Sequence, residues 1–513
     1  MRAGSDPPLS ILFDREPVDG VAGDPQCFAD LHLDEIVRAA TSSRSEHELA
    51  ALFQRQLPDV DAVAYRHEVL RDLSADPGRA VVQRFSERMG VTRRNLAAAE
   101  SLRYGREKER WFVEAARVYC DAANVLATAL TAIDLGSEGL RRVRDYVADY
   151  VASEPFQTLR RDAERLAGRL AAIRYLLELK GLQVRVLSYE ERPEISSEVA
   201  ATFSKFAQGA VRSYRREFKD WGGANHVDAR IMEGVAGLYP EVFGEQEAFC
   251  KQHADFPDAI VLRLDLELQF YLSYLELIEP LQAAGLRFAL PAVSGETKEL
   301  DAAGVFDLAL ALKLVPRNKK VVCNDVSMDG PERAIVVTGP NSGGKTTLAR
   351  AFGQLHYLAA LGLPVPASSA RLFLADHVFT HFEREEDIAT LRGNFEDELF
   401  RIHGVLEQAT ADSVIVINEA FGSTTSHDAA LVGTAVLERI LKLDALCIFV
   451  TFVDDLAALG ESVVSMMSLV DPCDPAIRTY RVVRKPTDGL AYAAAIAAKH
   501  RLSYETLKER LGQ

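Results

Sequence analysis

Gly339-Pro340-Asn341-Ser342-Gly343-Gly344-Lys345-Thr346 is the stretch on which the reading of this chain turns. Its glycines free successive backbone N–H groups to wrap an anion, Lys345 is spaced to reach the outer phosphates of a nucleotide, and the Thr346 hydroxyl to ligate magnesium. The flanks give the pattern its specificity. The apolar, β-branched run Ala334-Ile335-Val336-Val337-Thr338 precedes the loop as a strand. Thr347 to Leu361 follows as a helix whose positive N-terminal end is aimed at the anion.

Working outward, short apolar runs beyond roughly Leu286 alternate with helical segments, which implies α/β layers. Ser413 to Ile417, Leu446 to Thr451 and Thr479 to Val483 read as further strands. The first of these ends in Asn418-Glu419, and Glu419 is the candidate for polarising an attacking water. From about Leu33 to Leu281 the periodicity is helical. Phe156 to Leu179 reads as one long helix, opened by Pro155 and stopped by Gly181, whose apolar spacing suits either an exposed arm or a helix inside a bundle. Leu182 to Tyr189 alternates as a short strand. The next helix sets Lys205, Arg212, Arg215, Arg216 and Lys219 among aromatic residues, a mixture that suits a nucleic-acid backbone or a solvated face over a core stripe. Leu262 to Leu281 is apolar enough to be buried on more than one side.

Bulk properties narrow the classes. At 513 residues the chain is long enough for several domains. With 48% hydrophobic and 26% charged residues it has an ordinary globular composition. No apolar run approaches the ~18 residues of a spanning helix, and Met1 to Asp14 lacks the pattern of a secretion signal, so a cytoplasmic protein without membrane attachment is expected. The six cysteines lie far apart and show no metal-ligand spacing. A net charge of −16 works against indiscriminate attraction to nucleic acid while leaving room for a local basic groove.

These residues resemble the MutS family of DNA mismatch repair ATPases. Gly339 to Thr347 is similar to that family's GPNxxGKS/T loop, and Leu363-Pro364-Val365-Pro366-Ala367 to its VPA element. Val378-Phe379-Thr380, Glu386-Asp387 and Gly393-Asn394-Phe395 with Glu398 resemble the stretch holding the signature loop, which in the family reaches the partner's γ-phosphate across a dimer. Gly422 to Asp428 resembles the dimer-facing loop, and Asn324-Asp325 the segment close to the adenine. The resemblance implies an ABC-type P-loop ATPase domain of α/β class at the C-terminus, preceded by a largely α-helical core and lever region. It implies ATP and Mg²⁺ as cofactors. Gly339, Pro340, Asn341, Ser342, Gly343, Gly344, Lys345, Thr346, Thr347 and Asn394 would hold nucleotide, Thr346 and Asn418 the metal, and Lys345 and Glu419 would be catalytic. The domains expected are a helical core at 1–150, a lever helix with a shortened clamp-like region at 151–240, a returning helical segment at 241–289 and the ATPase domain at 290–513. Nothing resembles the mismatch-reading domain, so a reduced member is expected.

Two departures bear on activity. The family's Asp-Glu is Asn418-Glu419 here, and its histidine near the γ-phosphate is replaced by Phe452, which donates no hydrogen bond. Losing such preorganised groups costs about 10² to 10³ in rate each. The expectation is a slow or partner-dependent ATPase that works as a homodimeric, ATP-driven DNA-binding switch in mismatch repair or DNA-structure sensing. The competing expectation is a nucleotide-gated scaffold with little hydrolysis, acting on RNA, the ribosome or a protein partner.

Overall fold

The computed structural model describes residues 9–15, 25–44, 47–180, 183–189, 226–383, 394–474, 477–487 and 508. The chain divides into two compact units, one of Leu73–Leu135 and Arg141–Asp265, the other of Met1–Asp72, Gly136–Leu140 and Leu266–Gln513.

The first unit is mainly helical. Helices Asp76–Ser101 and Gly105–Thr131 pack against each other, burying Val82, Phe85 and Met89 on one and Val113, Tyr119 and Leu126 on the other. Helix Glu154–Ala171 begins where the Ser153 hydroxyl accepts the Phe156 N–H at 3.4 Å, and it buries Phe156, Leu159, Ala163 and Leu166. The helix expected to run to Leu179 therefore stops eight residues early. In place of its last turns, β1 (Tyr175–Lys180) pairs antiparallel with β2 (Gln183–Ser188). The pairing register runs from Tyr175 opposite Ser188 to Lys180 opposite Gln183. The β-branched Val184 and Val186 favour strand, so the antiparallel pairing overrides a weak helical spacing. Helix His226–Leu238 lies on β2, with Gly234 so close to Val186 that a Cβ there would sit 2.9 Å from its Cγ2. The basic stretch holding Lys205, Arg212, Arg215, Arg216 and Lys219 lies outside the described residues.

The second unit carries two sheets. The smaller contains β3 (Ala292–Ser294), β4 (Leu300–Val305), β5 (Asn324–Met328) and β7 (Ser369–Phe373) in the order β3-β7-β4-β5. The larger contains β6 (Ala334–Thr338), β8 (Val378–Phe382), β9 (Val414–Asn418), β10 (Leu446–Val450), β11 (Val463–Val470) and β12 (Arg478–Arg484). Its order is β12-β11-β6-β10-β9-β8, parallel throughout except for β12. Every residue of β6, β8, β9 and β10 is buried, as expected of parallel strands covered on both faces. Helices Asn394–Gln408 and Ser426–Leu443 supply Ile402, Leu437 and Ile440 to one core with Ile415, Ile417, Cys447 and Phe449. Helix Lys345–Ala360, after β6, is buried along most of its length. Among the described residues no helix is long and apolar enough to cross a membrane.

Candidate functional site

In a parallel sheet all C-terminal strand ends emerge at one edge, where loops collect ligand groups. Here the register places Val337 of β6 opposite Val450 of β10, and Val450 opposite Asn418 of β9. The ends of three strands are thus level, and the loop 339–344 springs from the β6 end.

Gly339 (φ 107°), Ser342 (φ 58°) and Gly344 (φ 95°) all adopt left-handed backbone, which folds the loop back on itself, and the Gly343 N–H donates to the Pro340 carbonyl at 3.2 Å. Gly343 is required for a second reason, since a Cβ there would lie 2.5 Å from Ser468 Oγ of β11 and 2.8 Å from the Pro340 carbonyl oxygen. Lys345 opens the helix. Its Nζ donates to the carbonyls of Gly339 (2.9 Å) and Pro340 (3.2 Å) and to Asn341 Oδ1 (3.2 Å), with Glu419 Oε1 at 3.8 Å. Burial holds the Lys345 ammonium below the usual lysine range, and the Glu419 charge offsets this in part. Glu419 follows β9 with φ 52°, a strained turn fixed by its N–H to the Val450 carbonyl at 2.9 Å.

A cavity of about 480 Å³ joins these parts. Of the residues singled out from sequence, Ser342, Gly343, Gly344, Lys345, Thr346, Thr347 and Glu419 line it. Gly339, Pro340 and Asn341 sit behind it as partners of the lysine. Asn418 is buried beside Glu419, and its Oδ1 has no hydrogen-bond partner among the described residues. The same holds for Thr338 Oγ1 at the end of β6 and for Ser468 Oγ, so three unmatched buried oxygens lie at or near this sheet edge. Asn394 is the first residue of helix Asn394–Gln408, and its side chain lies outside the described residues. Later in that helix, burial raises the Glu398 carboxyl, which accepts the Ser423 hydroxyl at 3.1 Å. Phe452 is half exposed after β10.

Sequence reading missed the far wall, made by Leu310, Leu314, Lys319, Lys320, Val322 and Tyr480. Tyr480 stands against Gly344 on a left-handed residue (φ 58°) of β12. Asn324 secures it, taking the Val482 N–H at 2.8 Å on Oδ1 and donating Nδ2 to the Tyr480 carbonyl at 3.2 Å. Asn324 therefore acts by holding β12 over the loop. The Lys319-Lys320 pair, just ahead of Val321-Val322, was a signal available in the sequence.

The family model for MutS domain V matches residues 335–503. The chain is 31% identical over 165 residues to the DNA mismatch repair protein MutS of Brevibacillus brevis, an overlap covering 32% of this chain and 19% of that protein. It is 31% identical over 189 residues to DNA mismatch repair protein MutS 1 of Halobacterium salinarum, covering 36% of this chain and 22% of that protein. The chain thus spans about a fifth of the length of these relatives. The left-handed loop, its lysine and the Asn418-Glu419 strand end all fall inside the matched residues, and it is through this segment that the chain is similar to the MutS family.

Proposed function

We propose that the cavity at the end of β6 binds ATP with Mg²⁺ and that the chain is an ATP-driven switch acting as a dimer on DNA. One observation carries the reading: a glycine loop, a buried lysine and a carboxylate come together around one open cavity. The residues fit the group. Lys345 is folded onto its own loop carbonyls, bonds that an incoming phosphate can replace, and the unmatched oxygens of Thr338 and Asn418 suit a cation or its water shell. Thr346 and Asn418 would hold the metal, and Asn394 would serve a partner's nucleotide. ATP supplies the phosphoanhydride whose cleavage resets the switch. Lys345 neutralises phosphate charge, the loop amides orient it, and Glu419, released from Lys345, accepts a proton from water.

Residues 290–513 form the ATPase domain in this reading, with 1–150 as helical core, 151–240 as lever and clamp-like region and 241–289 as the returning segment. Both relatives are named for DNA mismatch repair, which favours DNA as the partner, with Lys205, Arg212, Arg215, Arg216 and Lys219 as the contacts. A second reading, a nucleotide-gated scaffold with scant hydrolysis acting on RNA or a protein, draws on the amide at Asn418 and the half-exposed Phe452. Equilibrium Mg·ATP binding and single-turnover hydrolysis, compared between the chain and Lys345→Ala, test both. Binding lost in the variant supports the site, and equal binding sinks it. Hydrolysis no faster than in Lys345→Ala leaves only the scaffold. Titration of homoduplex, mismatched and branched DNA with and without ATP at stated salt tests the partner; no affinity for any of them removes DNA.

A further inference from the structure

The helical unit contains a cavity of about 360 Å³, remote in sequence from the phosphate loop. Trp111, Leu170, Tyr175, Val235 and Phe243 form its apolar wall, drawn from four helices and β1. The volume falls within the range of small-molecule sites, roughly 300–1,000 Å³.

Two polar features set its chemistry. Gln246 lines the cavity at 1% exposure, and its Nε2 donates to the Arg106 carbonyl at 3.4 Å. Its Oε1 is buried with no hydrogen-bond partner among the described residues. An orphaned acceptor in an apolar wall is costly, and a ligand bearing a donor relieves it. The second feature is Arg110, an exposed lining residue that pairs with no carboxylate among the described residues. The nearby charges are committed: Glu114 takes Arg117 on both oxygens, at 2.6 and 2.9 Å, and Arg106 is held by Glu109 at 3.0 Å. Among the described residues the cavity therefore offers aromatic walls, an unmatched buried acceptor and a cation that pairs with no carboxylate.

We infer that this cavity binds a planar aromatic carboxylate carrying an N–H or O–H on its ring. The ring would lie among Trp111, Tyr175 and Phe243, the donor would satisfy Gln246 Oε1, and the carboxylate would pair with Arg110. A purely apolar guest would leave Gln246 unmatched, and a cationic one would face Arg110.

Trp111 lies in the wall and Trp221 is the chain's other tryptophan, so the full chain carrying Trp221→Phe reports binding through Trp111 fluorescence. The probe is 6-hydroxy-2-naphthoate, compared with 6-methoxy-2-naphthoate, which lacks the donor, and 2-naphthol, which lacks the carboxylate. Saturable one-to-one quenching by the hydroxy acid is expected, with each comparison compound binding about tenfold or more weakly. Gln246→Met should erase the preference for hydroxy over methoxy, Arg110→Ala the preference for the acid, and Ala167→Phe, at a half-buried lining position, should block all three. Arg110 is exposed, so its variant keeps the test decisive if Gln246→Met fails to fold. Absence of saturable quenching, equal affinity for the three probes, or undiminished binding to Ala167→Phe overturns the inference.

Discussion

Gly343 and Ser468 show how a motif residue acquires its reason only in three dimensions. The pattern requires glycine at Gly344, where φ is positive, but Gly343 is small because β11 brings Ser468 Oγ against it. Gly343→Ala should weaken Mg·ATP binding by at least about tenfold, and adding Ser468→Gly should restore part of the loss, the Pro340 carbonyl limiting the recovery. A titration of the double-mutant cycle reads this directly, and strict additivity would refute the contact. Asn418 poses the complementary case. Its Oδ1 is an acceptor without a charge, so Asn418→Asp should raise Mg²⁺-dependent single-turnover hydrolysis by about tenfold or more while leaving nucleotide affinity nearly unchanged. An unchanged rate would place the block elsewhere, with Phe452 the next residue to replace.

Elements differed in how far their sequences declared them. β6, β9 and β10 were legible as short, nearly continuous apolar runs because parallel strands bury both faces. Helix Ser426–Leu443 announces itself by Thr425, whose hydroxyl accepts the Asp428 N–H at 3.2 Å; Thr425→Ala should cost about 1 kcal/mol in denaturant unfolding. Leu437, fully buried against the sheet from the same helix, is worth more, and Leu437→Ala should cost about 2–5 kcal/mol in the same measurement. Helix Glu154–Ala171 was misjudged in length because Ile173 and Leu177 satisfy a helical and an extended spacing alike. Pairing of β1 with β2 decided between them, through hydrogen bonds that lie outside the segment's own sequence.

At the scale of the whole molecule, acid should loosen the sheet-bearing unit in a defined window. Burial lowers His356, in the helix that follows the loop, from its ordinary 6.5 to about 4, and His67 behaves alike with Arg71 adding to the effect. The unfolded chain takes up these protons as pH falls through about 6.5, whereas the folded chain resists until about 4, so stability declines between those values and levels off below them. Each histidine accounts for roughly 3 kcal/mol at the acid end. Denaturant midpoints at neutral pH and near pH 4.5 should converge when His356→Leu and His67→Leu are combined, and an unchanged gap would exclude them as its source. By itself the sequence determined the strand-loop-helix around Lys345, the carboxylate strand end at Glu419 and the resemblance of this segment to MutS domain V, because each depends on residues contiguous in the chain whose backbone needs are local. Tertiary structure alone decided that Tyr480, Lys319 and Val322 close the cavity, that Ser468 dictates Gly343, and that Gln246 and Arg110 share a second cavity. Those relations join residues up to more than a hundred positions apart, and only the packing of the elements brings their side chains within reach of one another.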